Sequence, residues 1–401
     1  MLQTGIQHAE SHTVIKIRIW ISHLACLGVL FVPLTPELLV ACLVGYVWRV
    51  LAMELAAHRY FSHRAFRTSR PVQFLLALMV VSSGHRGPIW WAMHHRQHHR
   101  HSDSALDVHS PVTHSFWHAH MGWLTLPTTV DTDLDAVKDW SRVPELVWIN
   151  RWHMLFPLGV LVATMLLGAY TPLFGNTGMG SAAAVWAFFV PTVLGLHAAF
   201  AVNTLTHGRR PGIFSHRRFD TGDTTTNSWL LAVPTMGASW HNNHHRAMNA
   251  ARAGFYWWQL DLTYLTIRAM QALRLVWGLQ IVPASVLAEG RQPLGQPLPD
   301  GGEVWALDGA AQAARASAQR PAAAARRLSG SSQAVTNNGK IRPPDPAPAP
   351  PQQRRRSAAA PPALKRNMSG RVCTVAVTAV TANVGRQRGS SGYDFGMRHS
   401  F

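Results

Sequence analysis

The stretch His95-Arg96-Gln97-His98-His99 decides how the rest of the chain reads, because its His-x-x-His-His spacing returns at His241-Asn242-Asn243-His244-His245. Positions i, i+3 and i+4 share one face of a helix, so three imidazoles spaced this way converge on one point. A third group, His58-Arg59-Tyr60-Phe61-Ser62-His63, spaces its pair five apart, off a regular helical face. That pair converges only if the helix ends or bends between the two residues. Of the chain's 23 histidines, twelve fall between His58 and His120. A His-rich stretch is a metal site, a tag or a low-complexity tract, and regular spacing argues for the metal. A lone histidine beside an apolar run is more often a hydrogen-bonded core residue, and His23, His153 and His197 are read that way. His101, His109, His114, His118 and His120 fit either reading.

Eight ring ligands exceed the four that a tetrahedral zinc takes. They suit two ions of higher coordination number, and imidazole binds iron, zinc, copper and nickel alike. The Glu and Glu-x-x-His ligands of soluble di-iron bundles are absent. A metal-bound imidazole needs an outer partner on its second nitrogen. Asp103, Asp107, Asp220 and Asp223 lie close enough in sequence to serve.

Outward from these groups the chain turns apolar. Ile19 to Ala57 is a mostly apolar run broken at Pro33-Leu34-Thr35-Pro36-Glu37, which predicts two helices approaching the length of a bilayer. A second pair is predicted over Leu155–Tyr170 and Ala182–Thr206, joined by the Gly-rich turn from Thr171 to Gly180. Val72–Ser83 is too short to span and predicts a buried or interfacial helix. A soluble helical core would show one polar face per helix; these runs mostly lack it.

Basic residues exceed acidic ones by 18, and only 14% of the chain is charged. Such an excess suits nucleic acid, an anionic membrane or an acidic partner. Beside long apolar runs it is read as membrane-facing, with no nucleic-acid partner. Neither inter-helix turn holds Lys or Arg, whereas Lys16, Arg18, Arg59, Arg64, Arg67, Arg70, Lys138, Arg142, Arg151, Arg209 and Arg210 flank the opposite ends. The positive-inside rule then puts both termini and every histidine group in the cytoplasm. The predicted organisation is a cytosolic segment (1–18), a membrane domain (19–298) and a disordered tail (299–401) rich in Ala, Pro and Arg. Cys26, Cys42 and Cys373 imply neither a disulfide framework nor a thiolate metal site.

Longer stretches around the histidines carry a resemblance. His58 to His63 followed by Arg64-Ala65-Phe66, Arg86-Gly87-Pro88-Ile89-Trp90-Trp91-Ala92 leading into His95, His120-Met121-Gly122-Trp123, and Phe219-Asp220-Thr221-Gly222-Asp223-Thr224 ahead of Trp240-His241 are similar to membrane acyl-CoA desaturases of the stearoyl-CoA type and their bacterial relatives. The resemblance covers about residues 20–280. It implies an all-α fold of four transmembrane helices in two hairpins under a cytosolic cap, a di-iron centre using O2, and a cis double bond placed at a fixed position, expected at delta-9. The carrier it implies is coenzyme A, with an acyl lipid as the other form of fatty acyl substrate. Asn203-Thr204-Leu205-Thr206-His207 resembles the family's Asn-x-x-x-His, which adds His207 as a ligand and Asn203 as a water-mediated neighbour of the metal. The expected ligands are thus His58, His63, His95, His98, His99, His207, His241, His244 and His245. Gly237-Ala238-Ser239 departs from the family's Gly-Glu, and His85 stands near a usual Gln.

No side chain deprotonates an unactivated methylene, so the metal must carry the hard step while the protein orients the chain and excludes water. Trp91, one turn before His95, is the expected wall of an acyl tunnel. No flavin or nicotinamide fingerprint is present; electrons are expected from a separate acidic carrier, a ferredoxin or cytochrome b5-like protein, docking on the basic face. The expected location is the bacterial inner membrane, or the endoplasmic reticulum in a eukaryote. Two rivals remain: a hydroxylase on the same scaffold and a His-rich membrane metal-binding protein.

Overall fold

Residues 5–208 and 214–292 are described in the computed structural model. Arg209, Arg210, Cys373 and the tail expected at 299–401 lie outside the described residues. The fold is mostly helical. Helix α1 (His12–Cys26) starts where the Ser11 hydroxyl accepts the Val14 N–H, at 3.3 Å. That is seven residues before the apolar run sets in at Ile19, so Lys16 and Arg18 ride on the helix rather than ahead of it. Helix α2 (Pro36–Ser62) begins with Thr35 as cap and Pro36 at its first position. Helices α3 (Arg70–Ser82) and α4 (Pro88–His101) follow. Then come α5 (Pro144–Arg151) and α6 (Leu155–Tyr170), α7 (Gly180–Thr206), α8 (His241–Arg246) and α9 (Leu262–Ala272).

Among the described residues, three helical stretches are long and apolar enough to cross a membrane: His12–Leu30, Pro36–Ser62 and Gly180–Thr206. A fourth exists if α5 and α6, bent by 66° at the break between them, count as one span. Helix α3 has only 13 residues, in keeping with its reading as too short to span. These surfaces are greasy on the outside: Leu30 is 74% exposed and Phe31 84%, a display that water would penalise and lipid would not. Arg49, buried in the middle of α2, stays satisfied by giving hydrogen bonds to Thr192 Oγ1 (2.8 Å) and to the Gly45 and Phe188 carbonyls, which ties α2 to α7.

The main core gathers where α2, α3, α4 and α5 meet, around Phe61, Phe66, Trp140, Leu146 and Ile149. Among the described residues, three two-residue antiparallel ladders pin the connecting segments: Ile6–Gln7 with Thr132–Asp133, Arg67–Thr68 with Val276–Trp277, and Ser215–His216 with Asn227–Ser228. Asn150 closes one further gap. Its Oδ1 accepts the Ile89 and Trp90 N–H groups at 3.1 and 3.0 Å, so α5 caps the start of α4 and sets the direction in which the second histidine group points.

Candidate metal centre

The first histidine pair is arranged by an unusual stretch of helix. The last eleven residues of α2, Ala52–Ser62, are wound as a π-helix. The His63 N–H donates to the His58 carbonyl, an i to i+5 bond of 3.1 Å. In that wider winding, residues five apart stack above one another, as residues four apart do in an α-helix. The helix therefore both widens and ends at the pair, and the imidazoles of His58 and His63 lie 4.9 Å apart, centroid to centroid. His95, His98 and His99 project from α4, His241, His244 and His245 from α8, and His207 from the residue after α7.

The nine rings fall into two groups. One nitrogen from each of His58, His63, His95, His99 and His244 lies within 4.8 Å of all the others, and the same holds for His98, His207, His241 and His245. In the first group Nε2 faces Nε2: His58 to His244 at 3.0 Å, His244 to His99 at 3.0 Å, His99 to His95 at 3.0 Å and His95 to His63 at 2.8 Å. In the second, His241 Nε2 faces His207 Nε2 at 3.0 Å and His245 Nε2 at 3.1 Å.

Carboxylates occupy the outer nitrogens. Glu54 holds His58 Nδ1 at 2.9 Å, Asp107 holds His98 at 2.9 Å, Asp103 holds His207 at 3.2 Å and Asp223 holds His245 at 2.6 Å. Asp103, Asp107 and Asp223 are three of the four acids that proximity in sequence suggested. Asp220 is not part of the set; it is largely exposed and bonds Arg217 at 3.0 Å. Glu54 was missed. Its signal was present: a carboxylate inside a mostly apolar helix, four residues before His58.

This donor set fits a metal. A carboxylate on Nδ1 fixes the proton there and leaves Nε2 as a bare lone pair. His58, His98, His207 and His245 all end in that state. In the second group His241 can give a proton to only one of its two neighbours, and His98 Nε2 is buried with no hydrogen-bond partner. Protonating the rings is no remedy. Burial, reinforced by the neighbouring imidazoles, holds His63, His95, His99, His241 and His244 well below the ordinary 6.5. Burial also pulls His245 down to about 4 despite Asp223. His98 alone of the shifted rings is raised: burial opposes its charge, but Asp107, Asp103 and Asp223 outweigh it. Burial would likewise lift the three aspartates, yet their histidine and hydroxyl partners keep all three below the usual carboxylate range. Lone pairs converging in a buried space call for a cation other than a proton.

Beside the histidines lies a cavity of about 40 Å³, walled by Trp91, Phe200, Asn203 and Ala238 together with Glu54, His58, His95 and His241. Asn203 thus lines the same cavity as rings of both groups. Ala238, in the departure from Gly-Glu, is part of this wall. Gly237 keeps a positive φ of 100°, and a Cβ there would stand 2.7 Å from Asp261 Oδ1. The histidines left aside or ambiguous divide as well. His109 leans on Asp107 at 3.1 Å, His153 bonds Glu10, and His23, His197 and His120 bond one another away from both groups.

Helices of membrane length with two polyhistidine groups define a class, a mostly helical membrane-type chain with a candidate metal centre. The chain belongs to the fatty acid desaturase family, whose model matches residues 33–277 and so takes in α2 to α9 and all nine histidines. It is an oxidoreductase family of lipid metabolism. The chain is 31% identical over 243 residues to an sn-1 stearoyl-lipid 9-desaturase of Anabaena variabilis, covering 60% of this chain and 83% of that one. It is 32% identical over 237 residues to an acyl-CoA 5-desaturase of Anemone leveillei, covering 59% and 69%. It is also 32% identical over 251 residues to a hex-5-enoyl-[acyl-carrier protein] acetylenase of Moorena producens, covering 59% and 75%.

Proposed function

We propose that this chain is a membrane di-iron desaturase that places a cis double bond in a saturated fatty acyl chain, with O2 as co-substrate. The observation that carries the reading is the clustering of ring nitrogens in two groups, His58, His63, His95, His99 and His244 in one and His98, His207, His241 and His245 in the other. An all-nitrogen set matches iron among the metals that imidazole binds. Iron, when bound, supplies the oxygen chemistry needed to remove hydrogen from an unactivated methylene.

The chain's own residues have definable tasks. Glu54, Asp103, Asp107 and Asp223 keep Nδ1 protonated on His58, His207, His98 and His245 and aim those four rings inward. Trp91, Phe200 and Ala238 make an apolar wall that excludes water from the reacting space. At about 40 Å³ the cavity has room for a methylene segment or a water or two, and Asn203 offers such a water a polar partner. We place the four spans in two hairpins, the bent pair α5–α6 being the third, with the histidine groups on the cytoplasmic side; the flanking basic residues support this. The same basic face would receive an acidic ferredoxin or cytochrome b5-like donor. Position nine is favoured by the family resemblance and by relatives named as 9-desaturases.

The test is expression in a desaturase-deficient host, with fatty acids profiled against a His98→Ala control. A new cis-unsaturated acid that depends on His98 is the expected result. A hydroxylated acid in its place would move the assignment to a hydroxylase, and tightly held zinc without oxygen-dependent turnover would overturn the enzyme reading.

A further inference from the structure

A second, larger cavity of about 310 Å³ lies between α1, α6 and α7, within the size range of small-molecule sites. Its rim is apolar and open: Val14, Ile17, Ile21 and Leu158 are 44, 52, 55 and 57% exposed. Its inner end is closed by His85, Leu124 and Phe200, all buried, and by Trp91. Trp91 and Phe200 also wall the small cavity beside His58, His95 and His241. Their rings stack at 6.4 Å and 26°, so one aromatic pair separates the two spaces. The Trp91 indole N–H donates to the His85 carbonyl, which holds that ring in the partition.

We infer that the acyl chain reaches the histidines sideways from the bilayer, entering between α1 and α6 and passing the Trp91–Phe200 partition, and that its carrier is therefore a membrane lipid. This rests on the desaturase reading and deepens it by choosing the acyl carrier. The rim belongs to helices whose length and apolarity suit a membrane, so the molecules it meets are lipid chains. Only 6% of the α1 span is buried, so a lightly held helix forms one side of the mouth and can give way without disturbing the core. Inside the cavity, Arg18 (3.2 Å) and Arg86 (3.5 Å) share one carboxylate, that of Glu10, and the Arg86 and Glu10 side chains are almost wholly buried. A coenzyme A head group must stay in water and gains nothing from a mouth that opens on lipid.

The experiment reconstitutes the full chain in phosphatidylcholine vesicles doped with a phospholipid carrying a diazirine midway along one acyl chain, and maps the photo-adducts. Adducts are expected on Leu196, Phe200 and Trp91 as well as on outward residues such as Leu43. Ile21→Trp and Leu158→Trp, both at exposed positions that tolerate bulk, should lose the inner adducts and keep those at Leu43. Wild-type protein without inner adducts, or inner adducts untouched by the rim variants, would overturn the proposal. So would desaturation of coenzyme A-linked chains that continues undiminished with the rim filled, an outcome that leaves the desaturase reading intact. Lipid adducts at Phe200 in an iron-loaded protein that forms no unsaturated product would instead overturn the desaturase reading and leave the lateral path standing.

Discussion

Arg59 and Asp261 form a two-pronged ion pair, with Nη2 to Oδ1 at 2.8 Å and Nη1 to Oδ2 at 3.0 Å, both side chains almost wholly buried. Arg59 is the neighbour of His58, and Asp261 caps α9 while also accepting the Ala253 and Gly254 N–H groups. One carboxylate thus ties the end of α2 to the segment that follows α8. Asp261→Ala strands the guanidinium in a dry site and should cost about 3–5 kcal/mol. Thermal unfolding of the metal-free protein in detergent checks this. A change within error of wild type would mean that the pair is not the fastening it is argued to be.

Two histidine groups predict two separable metal sites. His99→Ala removes a ring from the five-member group and His98→Ala one from the four-member group. Each variant should lose tightly bound iron from its own group and retain it in the other, as read by metal analysis of purified protein. Loss of all iron from both variants would argue for one cooperative site.

The carboxylates on Nδ1 should matter although none faces the metal. Asp223→Asn weakens the hold on His245, and Glu54→Gln the hold on His58. Such outer partners are worth roughly 10–100-fold in metal affinity. Competition with a chelator measures that directly, and Asp220→Asn is the control expected to change nothing, because the exposed Asp220 carboxylate bonds Arg217 and the Gly222 N–H and no histidine.

Acid should unfold the metal-free protein through its buried imidazoles. Burial, with Arg49 and Arg18 adding to it at His85, and with Arg86 and His109 adding to it at His94, pushes both down to about 3. Each takes up its proton near 6.5 once unfolded, so the folded form is fully favoured above pH 6.5 and loses ground as pH falls from 6.5 towards 3. His98, raised rather than lowered, works the other way: its contribution is complete below 6.5 and fades as pH rises through its own value. The lowered rings outnumber it, so Tm should fall on acidification from pH 7 to pH 5. A flat Tm profile across that range would refute the sign.

Much of the site was legible in the chain because ligand spacing is a local property. His-x-x-His-His aligns three rings wherever a helix forms, and His95, His98 and His99 needed only α4. The pair at His58 and His63 was legible as a problem but not as a solution, since nothing in His58-Arg59-Tyr60-Phe61-Ser62-His63 announces a π-winding. Helix bounds were legible where apolar residues set them, as at Leu155–Tyr170. The start of α1 was not, because a capping serine at Ser11 outweighed the charges of Lys16 and Arg18.

By itself the sequence determined the histidine groups, the apolar helices and the family, all of which follow from residue identity at short range. Only the tertiary structure decided how nine rings divide into five and four, that Glu54 rather than Asp220 completes the carboxylate set, and that Trp91 and Phe200 stand between two cavities. These depend on which distant segments pack together, and packing is settled by the burial of whole surfaces rather than by any one stretch of chain.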